Sequence, residues 1–204
     1  MGRAYPQGFL AQGARVVAMD QSWAPTGFSG DTDDAFRREL EARPADALIA
    51  TVDISNAQDI ENAYQAAMER FGAIDVLINN AGLGLTADVV DTSDEQWQRV
   101  LDITLTGTFR VTRAMLPHMD SRKTGAIVNN TSVLAWRAQA GQAAYAAAKA
   151  GVGAVIGMAL GVVGKLVCSV VMVSLFAFAA WPNASDLWVA PTPPPVVESP
   201  TRPL

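Results

Sequence analysis

Cysteine and histidine are almost absent from this chain of 204 residues, with one of each. A lone Cys168 excludes an internal disulfide and fits a reducing cytoplasm. It has no cysteine or histidine at metal-ligand spacing, so it reads as an inert buried thiol and no metal centre is expected. His118, in Leu116-Pro117-His118-Met119, suits a helix end, where it would meet terminal carbonyls. Basic residues are outnumbered, 15 Lys and Arg against 20 Asp and Glu, and the net charge of −5 carries no nucleic-acid footprint. The N-terminus lacks a positive segment followed by an apolar one, so no signal peptide is expected. No internal repeat is visible. Half of the residues are hydrophobic, which at this length predicts one domain with a sizeable core.

The apolar pattern alternates between short runs and helical stripes. Residues 14–20 read as a buried strand ending in Asp20, and residues 21–31 as a loop rich in Gly, Ser and Pro. A helix is expected from about Thr32, with Asp33 and Asp34 in its first turn, stopping before Pro44. Ala47 to Asp53 is a second strand, and Ser55 with Gln58 a capping box for the next helix. Ile60, Ala63, Tyr64, Ala67, Met68 and Phe71 line one face of that helix, which Gly72 ends. Residues 74–78 form a third strand running into Asn79-Asn80-Ala81-Gly82. A capping signal at Thr92 and Glu95 opens a long helix with Trp97, Val100, Leu101, Leu105, Thr108, Val111, Met115 and Leu116 on its apolar face. Residues 126–128 make a fourth strand leading to Ser132. Strands separated by helices of this length predict an α/β fold with a parallel sheet covered on both faces.

In such sheets ligands bind beyond the carboxyl ends of the strands, and Asp20, Asp53, Asn80 and Ser132 all fall there. The next helix carries Tyr145-Ala146-Ala147-Ala148-Lys149. Positions four apart share a helix face, so a phenol and an ammonium lie side by side. A neighbouring ammonium favours the phenolate and lowers a pKa that starts near ~10, giving an acid/base usable near neutral pH. Alone, the spacing also fits a solvated face of an Ala-rich helix. The strand-end residues supply the context that favours chemistry.

Asn79-Asn80-Ala81-Gly82, Ser132, Tyr145-x-x-x-Lys149 and Asp53, in this order, closely resemble the short-chain dehydrogenase/reductase family over residues 2 to about 154. The resemblance implies a Rossmann-like sheet, a cofactor NAD or NADP, and interconversion of a secondary alcohol and a carbonyl. It implies that Tyr145 is the catalytic acid/base, that Ser132 holds the reacting oxygen, and that Lys149 binds the nicotinamide ribose and depresses the tyrosine pKa. Asn80, Ala81 and Gly82 would lie along the cofactor, with Asp53 and Ile54 near the adenine. Asp20 would accept hydrogen bonds from the adenosine ribose 2′-hydroxyl and repel a 2′-phosphate. No arginine follows it and residues 31–34 add negative charge, which favours NAD over NADP. Relatives commonly pair through the helices carrying Trp97 and Tyr145, so a homo-oligomer is expected.

Three departures qualify this. The family opens with a central strand and a glycine-rich turn that receives the pyrophosphate at a helix N-terminus. Here Met1-Gly2-Arg3-Ala4 resembles only the last glycine of that turn, so the sheet is expected to lack its first strand. The strands ending at Asp20 and Ile78 would then re-pair or leave bare edges. Next, Thr104 stands where relatives usually place an asparagine that supports a proton-relay water. Finally, the pattern fades after about residue 154. Residues 151–181 carry Lys165 as their only charge, and residues 182–204 form a Pro-rich tail expected to be disordered or polyproline-like. The run 151–181 suits a buried helix plus a strand over Leu166 to Leu175 in place of the family's later strand, or, over 166–181, a membrane segment slightly short of the ~20 residues needed to span. It also suits a sequence without selected structure, as a reading-frame shift near residue 155 would produce. The expected architecture is one Rossmann-like domain over 1–181 plus the tail. Beside the oxidoreductase stands the alternative of an impaired relative that binds dinucleotide poorly, with membrane association through 166–181.

Overall fold

The computed structural model describes residues 2–23, 35–137 and 139–160, with side chains through residue 154. The elements run α1 (Ala4–Ala11), β1 (Val16–Asp20), α2 (Ala35–Glu41), β2 (Ala47–Thr51), α3 (Ala57–Phe71) and β3 (Val76–Asn79). After them come α4 (Asp94–Leu101), a π-helical turn (Asp102–Thr106), α5 (Gly107–Arg122), β4 (Ala126–Asn129) and α6 (Ala143–Leu160). The fold is α/β with parallel strands, as the sequence predicts. The expected helix start at residues 32–34, the segment 166–181, Cys168 and the Pro-rich tail lie outside the described residues.

Side chains alternate across β1, so its two faces serve two cores. Ala18 is buried with Leu10 of α1, Leu40 of α2 and Ala47 of β2. Met19 packs toward the opposite cluster, where Ile60 and Ala63 of α3 meet Val111, Met115 and Met119 of α5 over Leu77 and Ile127. Helices thus cover both faces.

The sheet itself is in two pieces. β1 pairs with β2 from Val16 opposite Ala47 to Asp20 opposite Thr51. β3 pairs with β4 from Val76 opposite Ala126 to Asn79 opposite Asn129. Among the described residues β1 and β3 gain no other partner. A cavity of about 1380 Å³ is lined by every residue of both strands. Of the two outcomes expected for these strands, bare edges rather than re-pairing is the one observed.

Helix ends follow the predicted chemistry, displaced by one residue. Asn56, not Ser55, caps α3 by accepting from the Gln58 amide at 2.9 Å. Ser93 and Gln96, not Thr92 and Glu95, form the capping box of α4. In each case the competing residue sits one step away with an equally suitable side chain, so type alone could not choose. Gly72 ends α3 at a φ of 75°, in the left-handed region where glycine carries no Cβ penalty. The single long helix expected after the Thr92 and Glu95 capping signal is interrupted by the π-turn at Asp102–Thr106, which presents Thr104 to the interior. Among the described residues no helix is long and apolar enough to cross a membrane.

Candidate active site

Asp20, Asp53, Asn80 and Ser132 all emerge at the carboxyl ends of their strands, as parallel register requires. Asp20 Oδ1 accepts the Ser22 amide at 3.2 Å. Asp53 Oδ1 accepts the Ser55 amide at 2.8 Å, and the hydrogen bond from the Ser55 hydroxyl first, then this amide, with smaller help from Arg110 and Arg99, holds its carboxyl below the usual range. Ile54 packs beneath α5 because Gly107 has no side chain: a Cβ there would fall 2.6 Å from Ile54 Cδ1. Asp20, Asp53, Ile54, Asn80, Ala81 and Gly82 all line the cavity between β1 and β3. One surface therefore gathers six residues from three strand ends.

Ser132, Tyr145 and Lys149 come together beside the Gly82 end of that cavity. A Cβ on Gly82 would lie 3.4 Å from Lys149 Nζ and 3.6 Å from Thr104 Oγ1. Lys149 is 3% exposed, and its ammonium donates to the Asn130 carbonyl at 2.7 Å. It sits 5.7 Å from the centre of the Tyr145 ring. Burial drives Lys149 down to about 8. The phenol behaves differently from the sequence expectation. Burial raises the Tyr145 pKa, and a hydrogen bond with Ser132 pulls it back. Lys149 spends its charge on the Asn130 carbonyl rather than on the phenolate, so the lysine's depressing effect is absent from this arrangement. Ser132, 4% exposed, also accepts the Leu134 amide at 3.3 Å.

Thr104 is fully buried and its hydroxyl is already engaged. It accepts from the Leu83 amide at 3.0 Å and reaches the Leu83 carbonyl at 3.4 Å. The residue anchors the chain just past Gly82. Thr104→Val keeps the volume but strands the Leu83 amide, and should cost about 1–3 kcal/mol, read from the midpoint of urea unfolding.

Two features escaped sequence reasoning. Asn79 donates to Asn129 at 2.7 Å and to Thr112 at 3.0 Å, forming a satisfied buried polar cluster. Asn130 donates to Asn80 at 2.9 Å. The signal was present: the doublets Asn79-Asn80 and Asn129-Asn130 close neighbouring strands, and register pairs them.

The uncapped N-terminus of α1 lies near the same turn, since a Cβ on Gly2 would fall 3.0 Å from Asn80 Nδ2. A helix N-terminus suits a phosphate, although Pro6 in this first turn has no N–H to give, and the Asp20 carboxylate suits a ribose. Asp20 and the Asn80 turn, on one cavity, fit a dinucleotide. Among the described residues no cluster suits a metal.

Comparison with known proteins points the same way. Residues 1–164 match the family model described as short chain dehydrogenase. Over 154 residues the chain is 42% identical to a (5R,7aS)-5-hydroxy-7a-methyl-1-oxo-2,3,5,6,7,7a-hexahydro-1H-indene-carboxyl-CoA reductase from Mycobacterium tuberculosis, covering 74% of this chain and 56% of that one. It is 34% identical over 152 residues to a 3-oxoacyl-(acyl-carrier-protein) reductase from Thermotoga maritima, covering 74% and 59%. A crystal structure of a short chain dehydrogenase from Mycobacterium smegmatis superposes with a TM-score of 0.69 at 36% identity, covering 84% of this chain and 70% of that one. The match thus spans less than two thirds of the length of either curated relative.

Proposed function

The chain belongs to the short-chain dehydrogenase family, and on that footing we propose that it is an NAD-dependent oxidoreductase interconverting a secondary alcohol and a carbonyl. The observation that carries this reading is the convergence of Ser132, Tyr145 and Lys149 beside the Gly82 end of the cavity between β1 and β3. The bound nicotinamide supplies or accepts the hydride. Tyr145 exchanges the proton with the substrate oxygen, and Ser132 orients that oxygen. Lys149 holds the ribose beside Gly82. Asp53 and Ile54 flank the adenine. Asp20 favours NAD, because a carboxylate accepts from a ribose hydroxyl and repels a phosphate. The lone cysteine fits a cytoplasmic setting, and the partly exposed Trp97 and Phe109 offer a pairing face for a second copy.

A second reading rests on the edges of β1 and β3 that gain no partner among the described residues: the catalytic side chains are in place, but dinucleotide binding is weak. Calorimetric titration of the full chain with NADH and NADPH separates the two. The enzyme reading expects NADH to bind at micromolar to low millimolar concentration, more tightly than NADPH, and to support reduction of a panel of ketones. Neither nucleotide binding at millimolar concentration would leave only the impaired relative. Tighter NADPH binding would overturn the role given to Asp20.

A further inference from the structure

Asn130 is the residue through which the turn after β3 and the buried lysine meet. Its amide donates to the Asn79 carbonyl at 2.9 Å, continuing the β3–β4 register one residue past the strand ends. Its side-chain Nδ2 donates to Asn80 Oδ1 at 2.9 Å. Its own carbonyl accepts from Lys149 Nζ at 2.7 Å. Asn80 in turn lies close to Gly2, two residues before α1, where a Cβ would fall 3.0 Å from its Nδ2. A single buried residue, 7% exposed, thus connects the phosphate end of the cavity to its catalytic end.

Packing alone does not account for this carboxamide. Asn79 and Asn129, one step earlier, satisfy each other and Thr112. Asn130 does not reach that state, because its Oδ1 is buried with no partner. Leaving such an atom unpaired costs about 1–3 kcal/mol. An apolar side chain of similar size would fill the volume without that cost, so the contact with Asn80 is the feature that needs an amide here.

We propose that Asn130 is a positioning residue whose carboxamide seats the Asn80 turn for the dinucleotide, while its carbonyl fixes Lys149. The inference rests on the dinucleotide-binding reading. It goes beyond it by assigning part of the affinity to one side-chain contact that touches neither cofactor nor substrate.

The test is a double-mutant cycle on the full chain, with NADH affinity measured by calorimetry for wild type, Asn130→Leu, Asn80→Ala and the pair. Each single substitution should weaken NADH about five- to tenfold, the worth of one neutral buried hydrogen bond. The pair should be no weaker than the worse single, because both delete the same link. In turnover, KM for NAD should rise while kcat at saturation stays within twofold, a split that general loss of folded protein would not produce. Should Asn130→Leu fail to fold, Asn130→Ser takes its place, polar but too short to reach Asn80. Unchanged NADH affinity in the Asn130 variant, or strictly multiplicative losses in the pair, would overturn this inference alone. Absence of NADH binding by wild type would overturn it together with the functional reading.

Discussion

Tyr145→Phe is expected to lower turnover by about 10²–10⁴-fold, the usual contribution of a positioned acid/base, while NADH affinity stays within about twofold. The substitution removes one hydroxyl from a half-buried ring and leaves the helix, the Lys149–Asn130 contact and the cavity wall in place. What it deletes is the group that must give or take the substrate proton. Burial raises the Tyr145 pKa, and the Ser132 hydrogen bond opposes it. The phenol therefore stays protonated at neutral pH, which suits carbonyl reduction. Alcohol oxidation needs the phenolate, so its rate should climb with pH across the alkaline range in wild type. In the phenylalanine variant that limb should vanish. Steady-state rates in both directions at several pH values check this. A variant retaining more than about a tenth of wild-type turnover would remove Tyr145 from the acid/base role.

Much of this site was legible because it depends on residue type at fixed helical and strand spacing. Tyr145 and Lys149 share a helix face by periodicity alone, and Asp20, Asp53, Asn80 and Ser132 follow apolar runs that can only be strands. The π-turn at Asp102–Thr106 was not legible. One extra residue per turn leaves no local composition signal, and the apolar stripe continues through it. The caps were misplaced by one residue because Ser55 and Asn56, like Thr92 and Ser93, are both competent. The effect of Lys149 on Tyr145 was misjudged for a different reason. Spacing shows that two side chains can meet, but not which third group competes for the ammonium. Here the Asn130 carbonyl wins.

The split sheet limits what the site can do without touching its chemistry. Ser132, Tyr145 and Lys149 hang on β4 and α6, and Asn80 on β3, all from one side of the cavity. Asp20 and Asp53 follow β1 and β2 on the other. Among the described strands, no ladder hydrogen bond joins the two pairs. A long ligand must therefore be gripped by two halves whose spacing is set by helix packing through α3 and α5 rather than by a continuous sheet. The spacing of the two halves bears on affinity through preorganisation, whereas Ser132, Tyr145 and Lys149 share one half. It explains why catalytic geometry and cofactor affinity are expected to vary separately in this chain.

Lys149→Met should make the protein more stable at neutral pH and inactive. The wild-type ammonium is 3% exposed, and burial brings its pKa to about 8 from an ordinary 10.5. Below pH 8 the lysine is charged in both folded and unfolded chains, and the folded state bears the full desolvation cost. Between pH 8 and 10.5 the unfolded chain holds a proton that the folded chain has released, so wild-type stability rises with pH in that window. At 1.36 kcal/mol per pKa unit the relief amounts to roughly 3 kcal/mol. The lost Asn130 hydrogen bond offsets about 1 kcal/mol in the variant, leaving methionine ahead by about 1–3 kcal/mol at pH 7. Because every other titrating group is common to both proteins, the difference between them isolates Lys149. It should shrink steadily from pH 8 upward. Above pH 10 the raised Tyr145 pKa adds a stability decrease to both curves alike. Urea unfolding of the two proteins at pH 7, 8, 9 and 10 measures this directly. Parallel curves with a constant gap would mean that the lysine is not desolvated in the folded state. A converging gap with turnover lost in the variant would identify Lys149 as a charge kept buried for function at the expense of stability.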